Sequence, residues 1–272
     1  MAINDVSLTS GMRSNLISLQ GTVELLNRTQ ERLSTGKKVN SALDNPLNYF
    51  TAKALNSRAN DLSGYKDAMS EAVQTIKAAN TGISAIEGLI AQAKAVAASA
   101  KGVADADRDT YYDQYVEICN QLDKVAADSG YKGVNFLAAT GNSLDVYFGT
   151  DAADKITISG SDSSSTGLAM SKTALWATTA NVDTDIASMT AAENTLKAKT
   201  STLSSGLSII NTRQDWVKGM VNTLTQGADN LTLADMNEEG ANMLMLQTRQ
   251  TLGTTALSLS AQAAQSVLRL FA

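Results

Sequence analysis

The chain contains no histidine and one cysteine, Cys119, among its 272 residues. Without histidine it lacks the commonest general base and the commonest metal ligand. Ser–His–Asp and Cys–His nucleophiles are excluded. A single cysteine excludes an intrachain disulfide and a cysteine-based zinc site. Proline occurs once, at Pro46, and aromatic residues make up only 5% of the chain, while alanine and small polar residues are plentiful. That bias favours long helices over a compact sheet-rich core. No apolar run reaches the roughly 18 residues of a transmembrane helix, so membrane insertion is not expected. Basic charge is also scarce: 22 Lys and Arg stand against 27 Asp and Glu, for a net charge of -5. Phosphate contacts need a basic face, so nucleic acid is not expected as a partner. The opening MAINDVSLTSGMRSNLISLQ has no basic segment followed by an apolar core, so it does not read as a cleavable secretory signal. Both a cytoplasmic location and export without signal cleavage remain open.

What the chain does have is helical periodicity. Met12, Leu16, Leu19, Val23, Leu26, Gln30 and Leu33 recur at alternating steps of four and three, a heptad seam with one polar member. It stops at Gly36, a plausible C-cap. In SALDNP, Asp44 or Asn45 can cap a new helix, and Pro46 suits its first turn. That helix is expected from about Leu47 to about Lys101, with Leu55, Ala59, Leu62, Met69, Val73, Ile76, Ile83 and Ile90 on the lattice and small Ala residues beside it. A shorter seam follows at Tyr111, Tyr115, Ile118, Leu122 and Val125. The fourth, from Ile186 through Met189, Leu196, Leu203, Leu207, Ile210, Val217 and Val221 to Leu224, is interrupted only by Glu193, Thr200 and Gln214. It would make a rod of about 57 Å, which needs other long helices beside it.

Between the helical halves the pattern changes. Leu144, Val146 and Phe148 alternate, as do Ile156 and Ile158, and GTDAAD between them is a turn signal, so this segment reads as a β-hairpin. GSDSSSTG, residues 160–167, reads as a polar loop presenting Ser161, Ser163, Ser164, Ser165 and Thr166 as exposed hydroxyls. Near the end, Leu252, Ala256, Leu259, Ala263, Val267 and Leu270 form an apolar stripe, and Arg249 and Arg269 are the only charged side chains from Gly240 onward. Ile17 and Leu25 flank the first seam, and Leu257, Leu268 and Phe271 flank the last. Each end helix therefore carries more apolar surface than one antiparallel partner covers, and the excess should seek other molecules. A closed monomeric bundle is the plainer alternative. Glu238 and Glu239 are the obvious paired carboxylates, but with no metal-ligand cluster and no Gly-rich phosphate loop they read as solvated. The chain is not expected to be an enzyme or to hold a cofactor or metal.

Three segments carry a resemblance. TQERLSTGKKVNSALDNP (residues 29–46) is similar to the N-terminal signature of bacterial flagellins, and the segment from Leu233 to Phe271 resembles the flagellin C-terminus. GYKGVNFL (residues 130–137) is similar to the segment after the third flagellin helix. The middle departs from the family, because only about forty residues stand where many flagellins insert large outer domains. The resemblance implies a short flagellin. Its fold would be mainly α, a long antiparallel helical bundle or coiled coil with paired N- and C-terminal helices and a small mid-chain β-hairpin.

Three domains follow from that likeness. Residues 1–42 and 233–272 would form an inner coiled coil, 43–139 and 181–232 a helical bundle, and 140–180 the hairpin with a short outer loop. The implied function is a structural subunit of the secreted, extracellular flagellar filament used for swimming; a hook–filament junction protein is the alternative. Implied partners are other copies in a helical homopolymer, the type III export machinery and a chaperone, and hook-junction and cap proteins. Self-assembly is expected to rest on Leu16, Leu19, Val23, Leu26 and Leu33 with Leu252, Leu259, Val267 and Leu270. O-glycosylation of the 161–166 hydroxyls is one implied fate of that loop, and a plain solvated loop is the other.

Overall fold

A computed structural model describes residues 10–104, 107–139, 142–172 and 175–270, with side chains as far as 266. The elements in chain order are α1 (Ser10–Thr35), α2 (Pro46–Ala100), α3 (Arg108–Asp128), β1 (Ser143–Tyr147), β2 (Lys155–Ser159), α4 (Thr179–Thr232) and α5 (Met236–Leu270). The fold is therefore mainly α, with one two-stranded sheet among the described residues. The chain divides into two compact units, one formed by residues up to 57 and from 224 onward, the other by residues 58–223. Both α2 and α4 contribute to both units.

The first unit is built on α1 and α5. α1 ends where Gly36 takes the left-handed φ of +71°, a conformation glycine adopts without penalty. The connectors then lie together: Lys38 N–H donates to Thr232 O at 2.7 Å and Ala234 N–H to Gly36 O at 3.0 Å. Asp44 is the organiser of the turn before α2, not its cap. Its Oδ2 accepts the N–H groups of Asn40 and Ser41, which hold its carboxyl below the usual carboxylate range. Asn45 is the cap, accepting Asn48 N–H at 3.1 Å.

The second unit has its core where the strongest seams run. Met69, Ile76, Ile83 and Ile90 of α2, Leu122 of α3, and Met189 and Leu196 of α4 are fully buried. α2 also buries Ala72, Ala79, Ala93, Ala97 and Ala100. α4 runs antiparallel to α2 here, with Lys94 paired to Glu193 and Gln214 bonded to Ser70. α3 is rotated by about one residue from the expected lattice: Tyr112, Tyr115, Cys119, Leu122 and Ala126 are buried, whereas Tyr111, Ile118 and Val125 are half-buried. The rotation places Tyr112 and Tyr115 against Trp176. In the hairpin, Leu144 pairs with Ile158 and Val146 with Ile156. Val146, Phe148 and Ile158 are buried on one face, as alternation requires.

The 160–167 loop differs from expectation. Ser163 and Ser165 are fully buried, Ser164 is half-buried, and only Ser161 and Thr166 are exposed. Asp123 of α3 accepts Ser165 N–H at 2.6 Å and Ser165 Oγ–H at 3.0 Å, and pairs with Lys172. A charged anchor reaching in from another element decides this, and loop composition carries no trace of it.

Candidate assembly surface

α1 and α5 pack antiparallel, since Arg32 lies beside Glu239 while Leu19 lies beside Gly253. On α1, Met12, Leu16, Leu19, Val23, Leu26 and Leu33 are buried or half-buried, as the seam requires. Gln30 stays in solvent and Thr29, one position earlier, is buried in its place. On α5 the inward face is Glu239, Met243, Leu246, Gln250, Gly253, Leu257, Ser260 and Ala264, itself an unbroken four-three lattice. It is hard to see in the sequence because five of its eight members are small or polar. Gly253 shows why smallness matters: a Cβ built there would stand 3.0 Å from Leu19 Cδ1.

Polar chemistry fixes the register at one end. Asp235 Oδ1 accepts Asn237 N–H at 2.9 Å and so caps α5. Glu238 and Glu239 occupy the positive first turn of α5. Glu239, almost fully buried, accepts from Arg32 Nη1 at 2.8 Å. A half-buried Arg–Glu pair at one end discriminates between registers that an apolar seam treats as nearly equal.

The stripe that sequence periodicity singles out on α5 is on the outside. Leu252 is 63% exposed and Leu259 62%, with Ala256 and Ala263 beside them. Met245 extends the row by one heptad, and Leu244 of α5 at 67% and Ile17 of α1 at 63% are exposed elsewhere in the same unit. Val267 and Leu270 lie outside the described side chains. Among the proposed assembly residues, Leu16, Leu19, Val23, Leu26 and Leu33 therefore line the helix pair, whereas Leu252 and Leu259 are mostly exposed, Leu252 at the edge of a groove shared with Leu19 and Thr22 of α1. Met236, Leu244 and Met245 were missed, although the seven-residue step from Leu252 back to Met245 was readable. In the same unit Leu43, Leu47 and Phe50 are also exposed. Covering a Leu, Ile, Phe or Met side chain is worth roughly 1.5–3 kcal/mol, so this unit carries a large driving force toward another apolar surface.

Among the described residues no group of three or more His, Cys, Asp or Glu is placed to hold a metal ion. No helix among the described residues is long and apolar enough to cross a membrane. The family model "Bacterial flagellin N-terminal helical region" matches residues 3–142, just over half of the chain. This chain belongs to the bacterial flagellin family.

Flagellin relatives extend the match over the rest of the sequence. Flagellin FljO of Caulobacter vibrioides is 30% identical over 273 residues, covering 100% of both chains. The flagellin of Brucella melitensis is 28% identical, covering 94% of this chain and 95% of its own. Among solved structures, Bacillus cereus flagellin aligns with a TM-score of 0.49 and 17% identity over 55% of this chain and 88% of its own. As a flagellin the protein is a structural subunit of the extracellular flagellar filament. It polymerises with itself and is not an enzyme. A hook–filament junction role is not favoured.

Proposed function

We propose that the outward apolar row of the α1–α5 pair is the surface on which successive copies join. The carrying observation is that Leu252, Leu259, Leu244 and Ile17 remain exposed after the two helices have paired. Contact between such a row and a different patch on the next copy is heterologous and does not close, which is the condition for a fibre. On this reading Leu16, Leu19, Val23, Leu26 and Leu33 act indirectly: they hold α5 in the orientation that presents Leu252 and Leu259. Val267 and Leu270, which follow Ala263 in the sequence at steps of four and three, are proposed to add to it.

Residues 1–42 with 233–272 would form the innermost layer of the filament, 43–139 with 181–232 the next, and 140–180 the outer face. Absence of disulfide cross-links suits threading through a narrow type III export channel with a chaperone, and hook-junction and cap proteins would bound the growing polymer. The test is the double variant L252Q/L259Q. It should fold like the parent, because both leucines are more than 60% exposed in the single chain, yet should not extend seeded filaments in electron micrographs. Filaments of normal length from this variant would overturn the proposal.

A further inference from the structure

A cleft of about 230 Å³ opens between the end of β2, the following loop and α4. Lys199 of α4 reaches into this region half-buried, and its Nζ donates to Asp162 O and, at 3.1 Å, to Ser163 Oγ. Among the described residues no carboxylate forms an ion pair with it. The carboxylate of Asp162 is engaged elsewhere, accepting Ser164 N–H at 2.9 Å and lying against Gly167. A partly buried ammonium bonded only to neutral oxygens is an incompletely compensated charge. Burial holds its pKa below the usual lysine range, with Asp162 pulling weakly the other way.

An ammonium has three donors, and two are taken. Ser159 and Ser161 line the same cleft, and their hydroxyls bond to no described group of the protein. Thr195 and Thr202 also line it, but their hydroxyls already donate to the carbonyls of Ala191 and Ala198. Phe136 and Leu203 supply an apolar wall.

We infer that this cleft binds a small carboxylate anion, with Lys199 as the cation and Ser159 and Ser161 as the neutral donors. One cation and two hydroxyls match a monoanion and would leave half the charge of a phosphate dianion uncompensated. The apolar wall favours a carboxylate carried on a short aliphatic chain. The carboxylate can be a dissolved acid or an Asp or Glu side chain of another copy, since this protein polymerises with itself.

The full-length monomer titrated with sodium acetate, at ionic strength held constant with sodium chloride, tests this by NMR of the Gly160–Ser163 amides. Saturable shifts with acetate and not with chloride are expected, and K199M should abolish them. Because K199M also releases the loop, S159A/S161A is the decisive variant: those hydroxyls hold nothing in the protein, and their loss should weaken acetate binding at least about fivefold. A chloride-like response of the parent, or unchanged acetate affinity in S159A/S161A, overturns the inference. In assembled filaments, slow acylation of Lys199 without acetate assigns the carboxylate to a neighbouring copy. Acylation that slows only on adding acetate assigns it to the dissolved acid.

Discussion

At the scale of single residues, a half-buried carboxylate, Asp123, and a buried one, Asp185, are shifted in opposite directions. Burial pushes the Asp123 carboxyl up, but its bonds from Lys172, Ser165 N–H and Ser165 Oγ–H outweigh this and hold it below the usual carboxylate range. Its contribution is therefore complete above the unfolded value and is lost as pH falls through the folded one. Replacing it (D123A) should cost about 1–3 kcal/mol at neutral pH and expose Ser163 and Ser165, read as a fall in Tm and faster amide exchange in the 160–170 loop. Asp185 is shifted upward, chiefly because it is buried, with only the Trp176 indole N–H at 2.7 Å pulling it down. A raised carboxyl opposes folding at neutral pH, and that opposition is relieved as pH falls through its folded value. D185N keeps an acceptor for the indole and removes the charge. Its Tm should equal or exceed the parent's at pH 7, with the difference shrinking on acidification. Cys119, on the inner face of α3, is fully buried. Burial pushes its thiol up to about 11, so native-state labelling at pH 8 should be no faster than global unfolding.

At the scale of elements, close approach decided what periodicity left open. Gly82 sits mid-helix in α2, where alanine would ordinarily gain about 1 kcal/mol. A Cβ there would meet Ser129 Oγ at 2.1 Å, Ser129 Cβ at 2.6 Å and Leu137 Cδ1 at 2.8 Å. G82A should therefore destabilise the second unit by about 1–3 kcal/mol, measured by denaturant unfolding, and a stabilised variant would contradict the packing described. Ala72, Ala79, Ala93, Ala97 and Ala100 of α2 are buried as well, side chains too small to mark a seam in the sequence. α5 shows the limit of apolar periodicity most sharply. Its greasiest stripe is outside, and its packed face contains Gln250, Gly253 and Ser260. L246A, on the packed face, should cost at least about 2 kcal/mol in the α1–α5 unit, whereas L252A should change it by less than about 0.5 kcal/mol.

At the scale of the whole molecule, a subunit can be fully folded and still display an apolar row that only another copy covers. Deleting residues 233–272 removes that row together with the partner of α1. The truncated chain should remain a soluble monomer and fail to grow seeded filaments. Normal growth would place the assembly surface elsewhere. The same scale governs the 160–167 hydroxyls. Ser163 and Ser165 are closed off by Asp123 and Lys199, so only Ser161, Ser164 and Thr166 are accessible to a glycosylating enzyme. The protein from its native cell should have an intact mass equal to that of its sequence, 28.6 kDa. Added hexose-sized increments confined to Ser161, Ser164 or Thr166 would instead show the modified loop.

The sequence by itself determined the helices, the hairpin with its inward face, the cap at Gly36, the choice of Asp44 or Asn45 to start α2, and the exclusion of histidine-, disulfide- and cysteine–zinc-based chemistry. These follow from local spacing and composition, which need no knowledge of what lies opposite. Only the tertiary structure decided which side of α5 meets α1, how α3 is rotated, and that a serine-rich loop is pinned inside by Asp123 and Lys199. Those outcomes depend on groups distant in the chain, whose charge or small size acts only once packing brings them together.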